Sequence, residues 1–154
     1  MGGTIVGRFQ KILSRTRNFF RLKVRRLLRE NRVIPYQLRF GSNDLVYGPS
    51  ARGRLREFAR AVRGRTLNDL PKPPELSWTE FSLRILEEAA ESGTMVRFDL
   101  TYVEDLPGVL AGHGRFADTI TAVELRYIQA NWERFRSIVR FYDRGREVHA
   151  PWEM

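Results

Sequence analysis

Three prolines within one short stretch, Pro71, Pro73 and Pro74, constrain this chain more than any other feature. Each ring fixes φ, and each removes a backbone donor, so neither a helix nor a central strand can run through them. The chain must therefore build its order separately on either side. On the downstream side, Ser77-Trp78-Thr79-Glu80 has the spacing of a capping box, in which a serine oxygen takes an exposed amide and a glutamate reaches back. The helix opened there is expected to run to Ser92 and stop at Gly93, a residue suited to a left-handed cap. Met95 to Val103, rich in β-branched and aromatic residues, reads as a strand.

Leu106-Pro107-Gly108 through Gly112-His113-Gly114 reads as a glycine-bearing loop with a short apolar insert, Val109-Leu110. Thr121-Ala122-Val123-Glu124 has capping-box spacing again, and the helix it would open extends to about Arg136, with Leu125, Ile128, Trp132 and Phe135 as its buried stripe. Two strands close the chain, Ile138 to Tyr142 and Glu147 to Ala150, joined by Asp143-Arg144-Gly145-Arg146 as a hairpin turn.

Upstream of the prolines the character is basic. Arg8 to Asn31 reads as one long amphipathic helix, with Phe9, Ile12, Leu13, Phe20, Val24 and Leu27 in an apolar stripe. Val33 to Phe40 is an edge or extended segment because of Pro35, and Gly41-Ser42-Asn43-Asp44 is a turn that returns Leu45 to Tyr47 as a short partner strand. A second helix is expected from near Ser50 to Gly64. One face carries Leu55, Phe58, Ala59 and Val62, and the other carries Arg52, Arg54, Arg56, Arg60 and Arg63. The expected class is α+β: basic amino-terminal helices, then a small antiparallel sheet with a helix packed on it. Residues 1–31 form a basic segment, and 32–154 form one domain, best defined over 64–152.

Charge and composition narrow the functional classes. The 154 residues carry 27 basic and 18 acidic side chains, net +9. Residues 1–31 hold 9 basic and 1 acidic, residues 32–65 hold 8 and 2, and residues 66–154 hold 10 and 15. Such asymmetry calls for an anionic partner at the basic end: nucleic acid, a membrane surface or an acidic protein. A membrane-surface or delivery-apparatus contact would run through residues 8–31. Arginines interrupt each apolar stretch there, unlike a secretory signal, and no apolar run reaches the ~18 residues of a membrane span. With no cysteine, disulfides, thiolate metal sites and thiol nucleophiles are excluded, and His113 and His149 are too few for a histidine metal centre.

No Walker loop, dinucleotide glycine fingerprint, HExxH or GxSxG occurs. The only lysine beyond residue 65 is Lys72, which disfavours a metal nuclease needing a lysine after paired carboxylates. What remains is a polar row. At 100° per residue Glu124, Tyr127, Asn131 and Arg134 line the edge of the buried stripe, offering a carboxylate, a phenol, an amide and a guanidinium. Thr121 stands at the head of that helix, and Glu124 is equally explained as its capping partner. His113, between two glycines, is a candidate acid or base, since histidine changes charge near neutral pH, and equally an ordinary loop residue. Asp99 and Thr101 could reach an open sheet face with Arg140 and Tyr142, a face that suits a phosphate and a base, or plain solvent.

At these residues a resemblance becomes visible. Thr66 to Leu70, Ser77 to Ser82, Arg97 to Thr101, Leu106 to Leu110, Thr121 with Glu124 to Ile128, Trp132 with Arg134-Phe135, and Phe141-Tyr142 with Pro151-Trp152 follow in order. This series resembles the carboxy-terminal toxin modules of bacterial polymorphic toxins, the Rhs-type and contact-dependent-inhibition effectors, over about residues 64–152. The resemblance implies a module delivered into a neighbouring cell, acting in its cytoplasm and neutralised in the producer by an immunity protein. Many such modules are metal-independent ribonucleases; others are ADP-ribosyltransferases that use NAD.

The expectation that follows is a toxin acting on RNA as an endoribonuclease without a cofactor. His113, Glu124, Arg134, Tyr127 and Thr121 would be its catalytic candidates. Arg52, Arg56, Arg60 and Arg63, with Arg97, Asp99, Asn131 and Arg140, would bind substrate. An acidic immunity protein is expected on a rim of Arg115, Arg126, Arg134 and Arg140. In the transferase alternative, Arg97 and Glu124 would serve NAD. In a second alternative the chain is a basic adaptor for nucleic acid or membrane, without catalysis.

Overall fold

The computed structural model describes residues 44–153. The expected helix over Arg8 to Asn31 and the segment Val33 to Phe40 lie outside them. Four strands form one sheet in the order β1-β2-β3-β4: β1 Leu45–Tyr47, β2 Val96–Asp99, β3 Val139–Asp143 and β4 Arg146–Val148. Among the described residues five helices accompany it: α1 Arg54–Ala61, α2 Trp78–Ser92, α3 Leu106–Ala111, α4 Ile120–Ala130 and α5 Trp132–Phe135. The α+β class is as expected. The strand directions correct the expectation of an antiparallel sheet: β1 with β2 and β2 with β3 are parallel, and only the β3-β4 hairpin is antiparallel. Helices between successive strands carry the chain back to the same sheet end, which makes those neighbours parallel.

The core face of the sheet is a row of large rings. Tyr47, Phe98 and Phe141 stand in register across β1, β2 and β3, with centroids 6.1 Å and 5.8 Å apart. The α2 and α4 helices cover this face, contributing Phe81, Ile85, Leu86, Ala89, Leu125 and Ile128. Each of these six is almost wholly buried. The opposite face is not open at its centre. Phe58 of α1 packs on Tyr142, 5.4 Å between centroids, and both Tyr142 and Asp99 are buried. Asp99 accepts bonds from the Thr101 amide and hydroxyl, which ends β2.

Local signals explain most element boundaries. Ser77 caps α2, its oxygen accepting from the Glu80 amide at 3.1 Å, and Gly93 closes the helix in the left-handed region. Lys72 fixes the proline connection by donating to the carbonyls of Pro73 and Leu76. Arg144 and Gly145, with φ of 51° and 77°, turn the hairpin. Several boundaries differ from expectation: β2 stops at Asp99 rather than Val103, and α1 covers only Arg54–Ala61 of the helix expected from near Ser50 to Gly64, because Arg52 and Gly53 take positive φ ahead of it. The 106–114 segment is largely a helix, because Asp105 caps it and Pro107 fits its first turn. The cap of α4 is Thr119, whose oxygen accepts from the Ala122 amide, so Thr121 lies inside the first turn and Glu124 is not a capping partner. The helix expected to reach Arg136 breaks at Asn131, which has left helical geometry, and restarts as α5.

Candidate active site

At the carboxyl end of β1 the chain turns outward through Gly48 and Pro49, and a cavity of about 580 Å³ opens there. Trp78, the first residue of α2, and Ile120 and Thr121, the first residues of α4, line it together with Tyr47, Thr66, Asn68, Asp118 and Glu124. The crevice beyond the carboxyl ends of parallel strands, faced by helix amino termini, is where ligands of open α/β sheets settle. Here the carboxyl end of β1, one of the three parallel strands, borders the space together with two helix amino termini.

Glu124 is the chemically distinctive group in this cavity. Its side chain is buried, and the Ser82 hydroxyl of α2 hydrogen-bonds its carboxyl. Burial raises its pKa to about 8, and the serine bond opposes that shift. At neutral pH it is therefore a neutral acid with a proton to give. Tyr47 stands beside it and donates to the Ser82 carbonyl at 2.7 Å; burial, then the neighbouring Glu124, raise the phenol well above its usual range. The second carboxyl bordering the cavity, Asp118, is exposed to water at the other side of the α4 cap.

The expected polar row separates into two parts. Tyr127 donates to Glu87 of α2, and Arg134 places two guanidinium nitrogens on the same carboxylate, closing a buried network between α2, α4 and α5. Asn131 donates from its side chain to the Tyr127 carbonyl at the helix break. Tyr127, Asn131 and Arg134 thus hold helices together and do not line the cavity, whereas Glu124 and Thr121 do. His113 is exposed beyond the carboxyl cap of α3 and is not among the cavity residues.

The candidate substrate arginines also divide. Arg52, Arg56, Arg60 and Arg63 are all exposed on or beside α1, and Leu55 of that helix and Ser50 ahead of it line the cavity. Arg97 is tied to Asp44 at 2.7 Å and to Tyr142, so it braces the sheet face with Asp99 and is not paired with Glu124 in the cavity. Arg140 pairs with Glu147 at 3.4 Å and borders a smaller recess with His149, Arg136 and Trp132. Of the rim expected to meet an acidic partner, Arg126 donates to the carbonyls of Val109 and Ala117, and Arg134 is neutralised by Glu87. Those two charges are committed to the fold.

Sequence reading missed Ser82 and Glu87, although a signal existed. Ser82 shares a helical stripe with Leu86 and Ala89, and Glu87 sits between Leu83 and Ala90 at helical spacing, so each is a polar residue in a buried row. Among the described residues no group of three or more histidine, aspartate or glutamate side chains is placed to hold a metal ion, and no helix is long and apolar enough to cross a membrane. The class defined so far is an α+β domain with a buried acid in a cleft beside a basic helix. No family model, curated protein or solved structure matches the chain.

Proposed function

We propose that this protein is an RNA-cleaving toxin that works by proton transfer, with Glu124 as its general acid. The observation that carries this reading is the neutral, buried carboxyl of Glu124 lining a cleft bordered by the arginine-rich segment 52–63. RNA supplies its own nucleophile. A ribose 2′-hydroxyl attacks the adjacent phosphorus, its proton passes to the Asp118 carboxylate, and the P–O5′ bond breaks. The departing 5′ oxygen takes the proton of Glu124, leaving a 2′,3′-cyclic phosphate and a free 5′-hydroxyl. In this reading the phosphate is bound by Thr121, which lines the cavity, and by the amides at the start of α4. Exposed Arg52, Arg56 and Arg60 give the salt-sensitive grip on the backbone.

Delivery into a neighbouring cell and silencing by an immunity protein are supported by the resemblance over about residues 64–152. Since Arg126 and Arg134 are engaged internally, the inhibitor is proposed to cover the cleft and the α1 arginines instead. The test is purified protein with total RNA in excess chelator. Cleavage leaving cyclic phosphate ends supports the reading. Intact RNA, with label transferred from NAD to RNA or protein, would replace it with the transferase alternative.

A further inference from the structure

Among the described residues the large hydrophobic side chains that remain exposed are Trp78, Tyr102 and Ile120, at 43%, 40% and 41%. They are not scattered. Trp78 and Ile120 border the 580 Å³ cavity, and Tyr102 borders an adjoining recess of about 120 Å³. The two spaces share Pro49, Thr119 and Thr121 as a common wall. Exposed apolar groups gathered at a cleft mark a binding surface.

We infer that Trp78 and Tyr102 are stacking platforms for two successive bases of single-stranded RNA, one in each space, with the sugar-phosphate between them crossing the Pro49–Thr121 wall. The inference rests on the ribonuclease reading and names the substrate form that this cleft accepts. Trp78 is held in place for such a role. Lys72 sits 5.4 Å from its ring centroid and is itself anchored on two carbonyls, while Phe81 meets the indole edge-on at 6.2 Å. A ring fixed in this way loses little freedom when a base stacks on it. The larger space is broad enough for a whole nucleotide and offers the Asn68 amide and Ser50 hydroxyl as polar groups for a base edge. The recess beside Tyr102 is small, with Val103, Val109 and Phe116 on its walls and the exposed Glu104 also lining it, which suits the face of a ring and disfavours a phosphate. Bases must leave a duplex to stack on protein rings, so paired RNA is excluded. The wall between the spaces is the start of α4, where the scissile phosphate would sit above Thr121.

The test uses the full chain carrying Glu124→Gln, which slows turnover about a hundredfold or more, and a short fluorescent single-stranded RNA followed by anisotropy. Trp78→Ala and Tyr102→Ala in that background are each expected to weaken binding about tenfold, Trp78→Phe to restore most of it, and a duplex of equal length to compete poorly. Unchanged affinity in both alanine variants, or duplex binding as tight as single strand, overturns the inference. Circular dichroism melts of the same variants report on folding. Cleavage by the otherwise unaltered chain is assayed in parallel. If it cuts RNA while the alanine variants bind normally, the ribonuclease reading stands and the two-platform inference falls. If it neither cuts nor binds RNA, both fall.

Discussion

The hydroxyl of Ser82 in α2 hydrogen-bonds the carboxyl of Glu124 in α4, joining the two helices that cover the sheet across a sequence separation of 42 residues. Burial of that carboxyl, opposed by the serine bond, sets a pH dependence. In the unfolded chain the glutamate titrates near 4.5, and in the folded protein near 8, so the folded state binds the proton more tightly between those values. Stability is therefore highest below about pH 4.5 as far as this group is concerned, falls as pH rises, and levels off above about 8. The full loss is roughly 3 to 5 kcal/mol. Urea titrations at about pH 5 and about pH 8.5 should show this decline in the wild type and a much flatter profile for Glu124→Gln.

Glu87 receives both Tyr127 and Arg134, and its own side chain is almost fully buried. Removing it strands a phenol and a guanidinium between three helices. Glu87→Ala should cost about 3 kcal/mol, and Tyr127→Phe only about 1 kcal/mol, because the latter leaves the ion pair intact. A double-mutant cycle between Glu87 and Arg134 should give a coupling of about 2 kcal/mol. Additive single effects would mean that the pair contributes nothing.

Gly48 turns β1 into the cavity wall with φ of 140°, and a Cβ there would lie 2.7 Å from the Asp99 carbonyl oxygen. Gly48→Ala must move backbone against backbone. It should lower stability by at least about 2 kcal/mol and reduce cleavage more than the loss of folded protein accounts for. Equal activity per folded molecule would separate the turn from the site.

Arg84 of α2 is buried, and both of its terminal nitrogens lack a hydrogen-bond partner. Burial lowers its pKa, and the surrounding Glu75, Glu88 and Glu80 oppose that shift. Replacing an unsatisfied buried charge with an apolar side chain is stabilising, so Arg84→Leu should raise the urea midpoint, by about 1 to 3 kcal/mol in stability. A loss of stability would show that the guanidinium makes a contribution that outweighs its desolvation.

Secondary structure was legible where a local signal sets it. Ser77 and Gly93 mark both ends of α2, and Arg144-Gly145 marks the hairpin. The α4 start lies two residues before the Thr121 that the sequence suggests, because Thr119 and Thr121 both suit a cap and only the chain path after Ala117 selects Thr119. Strand direction was not legible, since parallel pairing depends on where the crossover helices pack. Helical phase alone puts Glu124 at the edge of the buried stripe, but its partner is Ser82 of α2 rather than Thr121, and nothing in the residues around Glu124 points there. The α1 arginines were legible as a charged face, but that their helix begins at a cavity depends on how residues 48–55 turn after β1.

The central claim, that Glu124 delivers the proton to the leaving oxygen, is tested most directly by the pH dependence of single-turnover RNA cleavage in excess chelator. The account predicts a wild-type rate that falls above about pH 8, and for Glu124→Gln a loss of about a hundredfold or more at neutral pH with RNA affinity retained. A substrate with a better leaving group at the 5′ oxygen should restore much of that rate. Cleavage by Glu124→Gln at the wild-type rate, with the same pH profile, would contradict the account.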